Sequence, residues 1–365
     1  TLNTDRLLMQ SGSEIAATTF AAGPVGDIRI NGTTIAIQSA TISNITRGSG
    51  NAGSILVNAE TVNLSDRGIL NISNFGSGNV GDIRIDATNV NLVRGSSLDI
   101  GTYNRGDTGN VVINARDSVT IDGELDRNRS HIFNIVAGPS AVGNAGDIEI
   151  NTRRLSLTNG GSLNTTTYGR GNAGDINIYA SQSVILDGTS SNGNGSDLLS
   201  RVRGRVQGNA GNISVTTPFF SMTNGARAFN RTEGEGNAGN LTIVAEDIQL
   251  SGSEIGSSVE ASAKGRGGRI DLTADRVSLA NLARITANSA GQGDAGQIFI
   301  HASDTVELSN STISTAVTGQ GQGLGGSLNL EADSVSLRDR AFLTAETASG
   351  RGGNIRLQLN HLLQM

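Results

Sequence analysis

Residues 171–180 read GNAGDINIYA, and the chain returns to this phrase along its whole length. GNAGSILVNA begins at Gly50, GNVGDIRIDA at Gly78, GNAGDIEINT at Gly143, GNAGNISVTT at Gly208 and GNAGNLTIVA at Gly236. The glycine closing each G-N-A-G unit falls at 26, 53, 81, 109, 146, 174, 211, 239, 268, 296, 326 and 353. The intervals are 27, 28, 28, 37, 28, 37, 28, 29, 28, 30 and 27, a 28-residue repeat carrying two insertions of nine. A period of that size signals a repeat architecture.

Counting the repeat glycine as the first residue, the third and fifth are aliphatic in every unit, from Ile28/Ile30 through Ile176/Ile178 to Ile355/Leu357. The residues between them vary freely, and this period-two alternation marks a strand with one buried face. A second pair follows in Val62/Leu64, Val90/Leu92, Leu155/Leu157, Ile248/Leu250, Val277/Leu279 and Val335/Leu337. A third follows the next turn, as in Leu70/Ile72 and Leu98/Ile100. No stretch carries helix periodicity with caps, and blades of a propeller need more residues than this period supplies. The pattern predicts an all-β parallel β-helix with about 28 residues and three short strands per coil, stacked into three parallel sheets.

In that architecture GNAGDI is a corner. Glycine allows successive coils to approach closely, and Asn51, Asn79, Asn144, Asn172, Asn209 and Asn237 share one corner position where stacked side chains can bond coil to coil. A small residue, usually alanine, marks the next corner (Ala59, Ala87, Ala115, Ala180). Both ends of the sequence fall inside the repeat, so the reading is a single solenoid domain over 1–365, cut from a longer rod.

Composition agrees with a narrow core rather than a broad one: 50 glycines, no cysteine or tryptophan, and 36% apolar residues dominated by aliphatics. The net charge of −6 is mild and evenly spread, so nothing points to wholesale nucleic-acid binding, and the absence of cysteine excludes disulfides and thiolate metal sites.

The succession G-N-A-G-D-I-x-I-x-A, then V-x-L, then G-S-x-I resembles the haemagglutinin-type repeat regions of filamentous bacterial exoproteins of the two-partner secretion pathway. The resemblance spans essentially the whole chain. It implies a right-handed parallel β-helix and export through a dedicated outer-membrane pore. It implies a place outside the cell or on the outer-membrane surface of a Gram-negative-type bacterium, and work in adhesion, aggregation or biofilm matrix. End-to-end or lateral self-association is a further expectation.

A β-helix can also be a polysaccharide lyase or glycosidase, so the outward carboxylates need weighing. Asp147 and Asp175 share one position in adjacent coils with Glu149 nearby, about 5 Å apart by strand spacing. Asp27, Asp82, Asn110, Asn212 and Asn240 hold the same position elsewhere, which reads as a turn site favouring short polar side chains. The expectation is therefore a non-enzymatic protein. No metal site is expected either: the three histidines lack ligand spacing, and calcium-binding β-rolls repeat at nine residues. No cofactor is expected.

Binding candidates lie in two places. The insertions both follow an Asp-Gly, at Asp122-Gly123 and Asp187-Gly188, near 122–134 and 187–200, two coils apart on one edge. The first carries Arg127, Arg129 and His131; the second leads into Arg201, Arg203 and Arg205, with Arg201 and Arg203 facing outward around Val202. Loops that break a repeat are a common binding face, and this charge suits an acidic cell-surface or matrix polysaccharide. The second place is a corner position shared by Phe20, Phe75, Tyr103 and Tyr168, where Phe75 and Tyr103 stack in adjacent coils. Corner packing is the first reading of such a strip, with an exposed surface for sugar rings or a partner protein as the alternative.

Overall fold

The alternating aliphatic pairs become parallel strands stacked coil on coil. The computed structural model describes residues 1–318, 323–348 and 351–364. These form a β-solenoid of about 13 turns with no helix, equivalent strands lying roughly 28 residues apart. The aliphatic pairs from Ile55/Val57 to Leu328/Leu330 are buried, and with the second pairs they fill one core running the length of the molecule.

Each coil has three strand segments but contributes to two main sheets rather than three. The first two segments join one sheet of 18 strands, and the third segments form a sheet of 12. In several coils the first two fuse, as in Ile148–Thr158 and Ile176–Asp187. The chain bends at the alanine corner through a register shift, Thr152/Arg154 against its neighbour, and keeps its ladder on both sides. A bulge turns a strand without ending its pairing, which is why this corner does not separate two sheets.

The G-N-A-G corner is as tight as the repeat suggests. A Cβ placed on Gly174 would sit 1.9 Å from the carbonyl oxygen of Gly146 one coil below, so no other residue fits there. The asparagines form a directional ladder. The backbone N–H of Asn79 donates to Asn51 Oδ1 at 2.9 Å, that of Asn172 to Asn144 Oδ1 at 3.0 Å, and that of Asn209 to Asn172 Oδ1 at 2.9 Å. Three residues on, a parallel ladder passes through Asp82, Asn110, Asp147, Asp175 and Asn212, each N–H reaching the preceding side chain. Each corner amide that cannot reach a strand partner is thereby satisfied by a short side chain from the previous coil.

Polar residues also enter the core. The middle inward position of the third segment is aliphatic at Ile72 and Ile100 but holds Asn44, Asn134, Thr165, Ser200, Asn230, Ser257 and Thr315, all buried. These side chains reach across the core to the corner backbone. Asn44 Nδ2 donates to Gly26 O at 2.9 Å while the Gly53 N–H donates to Asn44 Oδ1 at 3.1 Å. Ser257 Oγ donates to Gly239 O at 2.8 Å and accepts from the Gly268 N–H at 3.0 Å. The glycine corner and the third strand are thus tied together from inside.

Candidate functional site

The regular coils present much the same surface over and over, so a unique site must come from departures from the repeat. Most of the extra residues of the two long coils are divided between two corners. In place of the three-residue turn 94–96, the chain inserts 123–130 in one coil and 188–196 in the other; one further residue in each lies at the alanine corner, and the rest lengthens the turns that follow the third strands His131–Val136 and Asp197–Val202. The sequence places the whole insertion after Asp-Gly because the phrase ends there. The structure moves part of it, with Arg203 and Arg205, to the opposite end of the strand.

The first insertion is a small hairpin, Glu124–Leu125 paired with Asn128–Arg129, turning through Asp126 and Arg127 with φ of 49° and 67°. Left-handed values at both turn residues are those of a tight hairpin turn. The second closes on a bridge between Thr189 and Gly195. The two touch: the Ser191 N–H donates to Glu124 Oε1 at 3.0 Å, and Arg129 Nη2 donates to Gly195 O at 2.7 Å. Asp126 is held in turn by Arg67. Arg127 is exposed at the hairpin tip.

Beneath this clasp lies a charge that the sequence reading missed. Asp197 is fully buried, 3.1 Å from Arg129 Nη2 and 3.6 Å from Arg227 Nη2, and Ser162 donates to its other oxygen. Burial pushes its carboxyl upward, against the opposing pull of Arg129, Ser162 and Arg227. Arg129 is therefore occupied in holding the insertion to the rod. His131 is also engaged: its Nδ1 lies 2.7 Å from Arg129 O, its Nε2 lies 3.1 Å from Asp99 Oδ1, and its ring lies against Phe133 at 3.8 Å.

The outer face of the 12-stranded sheet joins the two ends. Its strands are in register, so Thr166, Arg201 and Arg231 form one row along the rod, Asn164, Leu199 and Phe229 the next, and Ser162, Asp197 and Arg227 the third. Val202 points into the core; Arg201 and Arg203 point outward, as the alternation predicts. Arg201 is half-buried and donates from Nε to Thr166 Oγ1 at 3.2 Å. Its neighbours are already paired, Arg231 with Glu260 at 3.0 Å and Arg227 with Asp197. Arg201, Arg227, Arg231, Leu199 and Phe229 enclose a cavity of about 70 Å³. Arg203 and Arg205 are exposed beyond it, and Arg203 donates to the Tyr168 hydroxyl at 3.4 Å and lies over that ring.

The aromatic corner is a stack. Phe75 and Tyr103 lie 4.6 Å apart at 13° between planes, and the Arg47 guanidinium sits 4.8 Å from Phe75 and 5.9 Å from Phe20. Arg47 occupies the same corner position as the aromatics, six residues before its repeat glycine, so the stack Phe20–Arg47–Phe75–Tyr103 is continuous over four coils. The facing surfaces of Phe75 and Tyr103 are spent on each other, and the far face of Phe75 on Arg47.

The carboxylate pair is a structural feature of the ladder. Asp147 Oδ1 accepts the Asp175 N–H at 2.7 Å. Burial raises the Asp147 carboxyl above the ordinary range; the bond from the Asp175 N–H pulls the other way, and the nearby Asp175 and Glu149 charges push it further up. Comparison with known protein families, with curated proteins and with solved structures found no match.

Proposed function

We propose that this chain is part of an extracellular, rod-like adhesive protein of a bacterial surface, carried out of the cell by the two-partner route that its repeat resembles. We place its binding face on the outer side of the 12-stranded sheet, between the lengthened corners of the two long coils. One observation carries this reading. The departures from the 28-residue repeat converge: two insertions two coils apart clasp each other over a buried ion group, beside a half-buried arginine with room next to it. Loops of passive growth need no mutual clasp, whereas a clasp gives a repetitive rod one rigid, distinct place. The partner suited to exposed Arg127, Arg203 and Arg205 around it is an acidic polysaccharide of a cell surface or matrix. The Asp147 and Asp175 carboxylates serve as corner acceptors, which supports a non-enzymatic role over the lyase or glycosidase alternative.

The test replaces 123–130 and 188–196 by the neighbouring Arg94-Gly95-Ser96 turn and changes Asp197→Ser, so that no buried carboxylate loses its arginine. The trimmed rod should fold, since most coils lack these loops, and should lose most of its adhesion to cells and polysaccharide. Undiminished adhesion by a folded trimmed rod would move the function elsewhere.

A further inference from the structure

Arg201 stands in an arrangement unlike any other arginine on this face. Its Nε is satisfied by Thr166, its guanidinium is half-buried, and no carboxylate lies within ion-pair distance of it among the described residues. The two arginines beside it are each matched to an acid, Arg231 to Glu260 and Arg227 to Asp197. Withdrawing a cation from water without an anion is costly, and ordinary solenoid surfaces avoid it by leaving arginine extended into solvent. Here the side chain is instead folded against the sheet, with Phe229 and Leu199 beside it and a cavity of about 70 Å³ in front.

We infer that this cavity is a carboxylate-binding subsite, in which Arg201 takes the acid group of a uronic-acid-type sugar in a polysaccharide lying along the 12-stranded sheet. This rests on the reading of the chain as a polysaccharide-binding rod. With Nε engaged, the two Nη groups of Arg201 remain as a planar fork, which matches the two oxygens of a carboxylate. One unmatched cation calls for one negative charge. The surroundings suit a sugar better than an acidic peptide: Ser258 lies on the same row as Arg201 and Arg231 with a partly exposed hydroxyl, the Tyr168 ring is partly exposed nearby, and the apolar lining of the cavity, Leu199 and Phe229, is nearly buried and leaves little surface for an apolar side chain. The row runs along the rod with one rung about every 4.8 Å, a straight track for an extended chain. Burial also draws the Arg201 guanidinium down from its usual value, the direction an entering anion would reverse.

The experiment measures binding of the full chain to oligogalacturonate, dextran sulfate, neutral dextran and polyglutamate at low and at physiological salt. The proteins compared are the parent, Arg201→Gln, Arg201→Lys and Arg203→Ser. The subsite predicts a preference for oligogalacturonate, a loss of tenfold or more in Arg201→Gln with a urea midpoint no lower than the parent's, and incomplete rescue by Arg201→Lys, which keeps the charge but not the fork. Arg203→Ser should weaken binding only at low salt, as an exposed charge does. Equal binding by Arg201→Gln, or a preference for sulfate or polyglutamate, overturns the inference. If Arg201→Gln binds normally while the trimmed rod does not, the subsite falls and the adhesive reading stands; if neither loses binding, both fall.

Discussion

At the scale of single residues, the fold depends on which of two neighbours faces the core. Ile176 is completely buried between the aliphatic residues of adjacent coils, and Asn177 beside it is exposed. Ile176→Asp places an unpaired charge in the core and should cost roughly 3 kcal/mol or more in urea unfolding, whereas Asn177→Ser should stay within about 0.5 kcal/mol. Comparable losses at both sites would mean the faces are inverted. The corner ladder gives a pH prediction. Because the folded Asp147 carboxyl is raised, the native state holds its proton more tightly than the unfolded chain. That contribution is fully present below the unfolded aspartate value of about 4 and is lost as pH rises through the higher folded value. Asparagine keeps the Oδ1 acceptor without the charge, so Asp147→Asn should gain stability relative to the parent as pH rises from 4 to 7. A urea-midpoint difference that is flat or of opposite sign would contradict this. The aliphatic alternation, the corner asparagines and the aromatic column were all legible in the sequence. Arg47 was not singled out, because counting aromatics alone skips the arginine that completes their stack.

At the scale of strands and turns, the least legible feature was polarity inside the core. The third segment shows its aliphatic pair plainly at Leu70/Ile72 and Leu98/Ile100, but elsewhere the second member is Asn, Thr, Ser or Ala, which reads as weak patterning. The structure gives those residues a purpose, satisfying the backbone of the glycine corner opposite. Ser257→Ala should strand both Gly239 O and the Gly268 N–H and cost about 1–3 kcal/mol, measured by urea unfolding; a neutral result would mean that water or a backbone shift replaces the hydroxyl. The insertions were visible as lengthened intervals, yet interval counting cannot say at which corner the extra residues lie, nor that Arg129 would be consumed by Asp197. Asp197→Asn should lose about 3 kcal/mol because two arginines lose their partner, while adding Arg129→Ser should recover part of the loss. Strict additivity of the two changes would show that Arg129 and Asp197 are not coupled.

At the scale of the whole molecule, each coil leans on its neighbours, and the aliphatic, asparagine and inner polar ladders all run along the same axis. Stability in such a stack is a sum of coil and interface terms, so coils should be removable as units. No compact fold with long-range, non-repeating contacts shares that property. The coil between Gly268 and Gly296 is 28 residues long and distant from the insertions. Deleting residues 269–296 joins Gly268 directly to Gln297 and restores every ladder in register. Deleting only 269–282 joins a first-strand corner to the middle of a coil. The decisive measurement is the circular dichroism and urea unfolding of these two deletions beside the parent. The solenoid account predicts an unchanged β spectrum and a cooperative transition for the 28-residue deletion, with loss of structure across several coils for the shorter one; a whole-coil deletion that unfolds as badly as the half-coil deletion would contradict it.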